Sequence, residues 1–190
     1  MKHPVVVAAL GSLMLGHSAW AQRVANYEAK GNLQATIDLN CIATDKMKNT
    51  YTPADLYRAV GKCLNQGDMK KSVFLYAIAG AYARFDTQRV ADATAHDANT
   101  VLTMQTFSTL ADEQKTAFKQ AMNRVADDPE NFGKMCADIR RVGPPAYFPT
   151  YMIQHGMGAF GGDGKGLVPN FDAAAARKSS LDSYLHCPPA

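Results

Sequence analysis

From Thr52 to Val142 apolar residues return every three or four positions without sustained alternation, and this periodicity most limits what the chain can fold into. A period near 3.6 gives each helix one apolar face, whereas a half-buried strand needs a period of two. Thr52 is an N-cap candidate, Pro53 suits a first helical position, and Asp55 suits the positive end of the helix dipole. Leu56, Val60, Cys63 and Leu64 then form one stripe, which the Asn65-Gln66-Gly67-Asp68 turn ends. A second helix is predicted from about Met69 to Phe85, where Ala77, Gly80, Ala81 and Ala83 let a neighbour approach closely. Glycine inside a helix costs about 1 kcal/mol relative to alanine. Gly80 is therefore expected where a neighbouring backbone leaves no room for a side chain.

Three more helices are predicted: Gln88 to Leu110 with Val90, Ala93, Val101, Met104 and Phe107 inward, Asp112 to Val125, and one opened by Asp127-Asp128-Pro129-Glu130 and running to Val142. Gly143-Pro144-Pro145 breaks the pattern. After it come an aromatic segment from Tyr147 to Phe160, a glycine-rich loop, and a last helix from about Asp172 to His186. The expected fold is all-α, a compact irregular helical bundle forming one domain over 22–190.

Residues 1–21 read as a cleaved secretory leader: Lys2 and His3, an apolar run from Val5 to Leu15, then Ala19-Trp20-Ala21. Gly11, Ser12, Gly16 and His17 interrupt that run, so a stable membrane anchor is not expected. Export predicts a periplasmic location and oxidised thiols. The four cysteines then form two disulfides, and of the three connectivities neighbour pairing is favoured, Cys41 with Cys63 and Cys136 with Cys187. A zinc site would want closely spaced pairs, and there is no C-x-x-C. With 20 basic against 17 acidic residues the charge is nearly balanced, which argues against a nucleic-acid or anionic-membrane surface.

Tyr57, Val60, Gly61 and Leu64, followed by Val73, Ala77 and Gly80, with the turn "NQGDMKKSVFLYAIA" between and beyond them, resemble one tetratricopeptide helical hairpin over about residues 55–85. Val73 replaces the usual alanine, Tyr57 stands where tryptophan is common, and no second repeat follows. The resemblance implies a hairpin of antiparallel helices and, with an open concave face beside Tyr57 and Tyr82, an adaptor that docks a peptide.

No sequence motif for catalysis stands out. Asp92 and His96 are four apart, and on one predicted helix they share a face with Arg89, Asn99 and Thr103; with His155 they are the candidates for a small periplasmic hydrolase. A solvated helix face explains them more simply and is the favoured reading. In "HGMGAFGGDGKGLVP" Gly164-Lys165 lacks the Ser or Thr and the preceding strand of a phosphate loop, and Asp163 stands nearly alone where calcium would need several acids. No metal or cofactor is expected.

The same stretch, with the segment before it, offers the best partner surface: Tyr147, Tyr151, His155, Phe160, Asp163, Lys165 and Leu167, against the alternative that the stripe is core. An exported helical body with no catalytic constellation resembles the periplasmic immunity proteins that guard bacteria against toxins delivered between cells, lipolytic ones included. That resemblance implies a non-catalytic protein that binds a secreted toxin or lipase and blocks its cleft.

Overall fold

A computed structural model describes residues 28–161 and 166–189. The predicted leader, Asp163 and Lys165 lie outside the described residues. The capping signal at Thr52 is realised in full: its hydroxyl accepts from Asp55 N and Asp55 Oδ2 accepts from Thr52 N, opening α1 at Pro53–Asn65. Asp55 is itself fully buried and also accepts the backbone N–H groups of Thr36 (2.6 Å) and Ile37 (2.9 Å). One carboxylate thus starts a helix and fastens the otherwise irregular arm of residues 28–50 to it. The Cys41–Cys63 disulfide fixes the same arm covalently.

Gly67, at φ +75°, turns the chain, and Asp68 caps α2, Met69–Arg89. Nearly every side of α2 is covered: Phe74, Leu75, Ile78, Ala79, Tyr82 and Phe85 are all buried. A helix apolar all round belongs at the centre of its domain. Accordingly α1 packs along α2, α3 (Ala98–Ser108) lies on α1, and α4 (Asp112–Ala126) lies on α2. Tyr76 stands edge-on to both Phe107 and Phe118, which meet each other at a tilt, and the three rings join α2, α3 and α4. Asp128 caps α5, Pro129–Val142, by accepting from Glu130 N and Asn131 N, which accounts for the Asp127-Asp128 pair without chemistry.

After Gly143, at φ +89°, the chain crosses α2 through two single-turn helices, α6 (Thr150–Ile153) and α7 (Gly158–Gly161). Asp172 caps α8, Ala173–Ser179, which widens into a π-turn over Ser180–Tyr184 against α2. The Cys136–Cys187 disulfide holds that end to α5, so both pairings are the expected ones. Among the described residues there is no strand and no helix long and apolar enough to cross a membrane. The fold is all-α with two disulfides, and the disulfides point to an oxidising, exported compartment.

Two predicted elements need correction. The helix expected from Gln88 to Leu110 is three pieces: α2 ends at Arg89, a 3-10 turn covers Ala93–Ala95, and α3 starts at Ala98. Its inward face is Ala98 and Leu102, while Met104 is 63 % exposed. Gly80 does face a close neighbour, but that neighbour is a ring instead of a backbone: an added Cβ would lie 2.9 Å from Tyr184 Cε1 and 3.0 Å from its Cζ.

Candidate functional site: an anchored glycine-rich loop

The chain between α2 and α3 leaves helical geometry because its polar groups are taken by another part of the molecule. Asp92 Oδ1 accepts from Thr94 N and Thr94 Oγ1, while Oδ2 accepts from Gly158 N at 2.8 Å. Thr94 Oγ1 in turn accepts from Met157 N at 2.8 Å. Gly156 is required for this approach, since a Cβ there would stand 2.8 Å from Asp92 Cγ, nearer still to Oδ2, and 3.0 Å from the Ala95 methyl. These hydrogen bonds, led by that from the Thr94 hydroxyl, hold the Asp92 carboxyl below its ordinary pKa.

The far side of the loop returns to the same linker. Val168 N donates to Arg89 O at 2.7 Å and Ala91 N donates to Gly166 O at 3.1 Å, an isolated antiparallel bridge between Val90 and Leu167. Both ends of the loop therefore rest on Arg89–Thr94.

Beneath the linker lies a buried polar cluster. The Asp86 carboxylate is fully buried; its Oδ1 accepts from Arg89 Nε at 2.8 Å, with Nη2 in charge contact at 2.7 Å, and its Oδ2 accepts from Tyr147 (2.9 Å) and Tyr151 (2.8 Å). The guanidinium sits over the rings of Phe85 and Tyr147, 5.2 and 5.1 Å from their centres. Burial outweighs these partners and raises the Asp86 pKa to about 6. Burial likewise raises both tyrosines well above their ordinary value. The cluster holds the segment after Gly143 against the end of α2, and so sets where the loop begins.

The predicted contact residues fall on both sides of this divide. Tyr151 is only 2 % exposed and belongs to the core, and Tyr147 is half-buried with its hydroxyl turned inward to Asp86. The Tyr151 ring is not free to anchor a partner, and the Tyr147 hydroxyl is committed inward, because the buried carboxylate needs both hydroxyls. His155 is half-buried and its Nδ1 donates to Asn32 Oδ1 at 2.9 Å. Phe160 and Leu167 are exposed, with Met157, Val168 and Phe148 also exposed nearby in the sequence. Val168, with Asp92 and Thr94 as loop anchors, is what sequence reasoning missed; an Asp-x-Thr pair that caps its own turn is the one local signal for it.

For the hydrolase candidates the partners are specific and separate. Asp92 is held by Thr94 and Gly158, His96 Nε2 donates to Val90 O, and His155 binds Asn32. The cleft lined by His96 contains neither a carboxylate nor a second histidine. Among the described residues no three His, Cys, Asp or Glu are grouped to hold a metal ion. Tyr57 and Tyr82, beside which a peptide-docking adaptor needs an open concave face, are 1 % and 0 % exposed and packed within the core.

No family model matches the chain, and comparison with curated proteins and with solved structures found no match.

Proposed function

We propose that this protein is a periplasmic, non-catalytic binding protein that captures a secreted antibacterial toxin through its glycine-rich loop and blocks it, as an immunity protein does. The observation that supports this reading is where large apolar side chains meet water. Among the described residues, five of the eight exposed ones, Phe148, Met157, Phe160, Leu167 and Val168, fall between residues 148 and 168. Scattered exposed apolar residues are ordinary, but a concentration within one short stretch of chain suits an interaction surface. Methionine and phenylalanine are enriched at such surfaces. The stem held on Arg89–Thr94 lowers the ordering cost of binding, because the loop ends are placed before the partner arrives.

The leader-like residues 1–21 and the two disulfides support export into the periplasm. The test is capture from the native periplasm by the oxidised protein and by a Met157→Ser, Phe160→Ser variant. The reading predicts that the wild type retains an exported toxin and suppresses its activity, and that the variant does neither. Retention of no toxin, or equal retention by both, would remove it.

A further inference from the structure

Away from the loop, one face of α2 carries Val73, Ala77, Gly80 and Arg84 in line, and two hollows lie along it. At one end a trough of about 360 Å³ is walled by uncharged side chains, Val125, Phe132 and Met135 among them. At the other a cleft of about 350 Å³ is lined by Arg84, His96, Asn99, Thr100 and Ser183, with no carboxylate. Tyr184 borders both, its ring lying on Gly80 where any Cβ would strike it. Tyr184 stands between the two hollows, and with its ring displaced they would form one groove along α2.

We infer that this groove binds a single-chain alkyl carboxylate, with the hydrocarbon in the Val73–Met135 trough and the anionic head at Arg84. The two ends differ in the way such a ligand does. Arg84 is exposed and pairs with no acid among the described residues. Asn99 accepts the Tyr57 hydroxyl through Oδ1, leaving its amide N–H groups to donate. Each hollow has the size of an ordinary ligand site, and Val73 and Arg84 stand roughly 16 Å apart along α2 at 1.5 Å per residue, a span that suits an extended alkyl chain. Tyr184, on the π-turn Ser180–Tyr184, swings off Gly80 to let one ligand occupy both ends.

The test is calorimetric titration of the oxidised protein with dodecanoate below its micelle threshold, beside dodecanol, butyrate and anionic phospholipid vesicles. Dodecanoate is expected to bind one-to-one and butyrate not at all. Arg84→Gln, an exposed change that leaves the core intact, weakens dodecanoate about tenfold, the worth of a partly exposed charge-assisted hydrogen bond, and leaves dodecanol within twofold. Val125→Trp, which fills the trough, weakens both, and Tyr184→Ala tightens dodecanoate. No binding of dodecanoate, equal binding of butyrate, an Arg84→Gln protein that binds as the wild type does, or binding to vesicles in place of the monomer would overturn the inference.

Discussion

Gly156→Ala is a sharp perturbation of the loop anchor, because the methyl it adds has nowhere to go. The new carbon would be 2.8 Å from Asp92 Cγ and 3.0 Å from the Ala95 methyl, so the Asp92 side chain must move and release Gly158 N. A hydrogen bond to a charged group contributes about 1.5–3 kcal/mol. Against that, alanine restricts the unfolded chain and returns about 0.4–1 kcal/mol. The net expectation is a loss of about 1–2 kcal/mol in urea unfolding, with faster amide exchange at Met157 and Gly158. Gly161→Ala is the control, since nothing lies within 4 Å of its added carbon; it should be neutral or slightly stabilising. If Gly156→Ala unfolds with Gly161→Ala and keeps its exchange protection, the anchor does not constrain the loop.

Three further outcomes are expected. Replacing Cys136 and Cys187 by alanine opens a closure with sequence separation 51 and should cost about 4 kcal/mol on the loop-entropy estimate, against about 3 kcal/mol for Cys41 and Cys63 at separation 22; equilibrium unfolding of the two variants checks the order. The Asp86 carboxyl, monitored by carbon-detected NMR, should titrate near pH 6. Because its folded pKa is raised, its contribution to stability is complete below the ordinary carboxylate range and is lost as pH rises through about 6; a midpoint below 4 would contradict the buried setting. Tyr151→Phe leaves Asp86 one donor short, and a loss of about 1–3 kcal/mol is expected in thermal or urea unfolding.

The helices were legible where the signal was local. Thr52, Pro53 and Asp55 specify the start of α1 within four residues, and Asp128 with Pro129 does the same for α5. Periodicity ran straight through Val90–Asp97 because no glycine or proline interrupts it. What breaks the helix there is distant in sequence: Gly158, Gly166 and Val168 take backbone and side-chain groups of Arg89–Thr94 into the loop anchor. The aromatic stripe misled for a related reason. Tyr147 and Tyr151 resemble contact residues in composition, but a buried carboxylate contributed by α2 turns both hydroxyls inward. Gly80 signalled a close neighbour correctly, yet nothing near it in sequence identifies the Tyr184 ring.

The central claim is that the anchored loop, and not exposed apolar surface in general, carries recognition. Ile37 and Met104 are 43 % and 63 % exposed, close to Phe160 at 52 % and Met157 at 68 %, and they lie on other elements. The decisive measurement is the affinity for the captured toxin of a Met157→Ala, Phe160→Ala protein beside an Ile37→Ala, Met104→Ala protein. The account predicts a loss on the order of a hundredfold or more for the first, as truncated anchors give, and no more than a twofold change for the second. Equal affinities for the two proteins would contradict it.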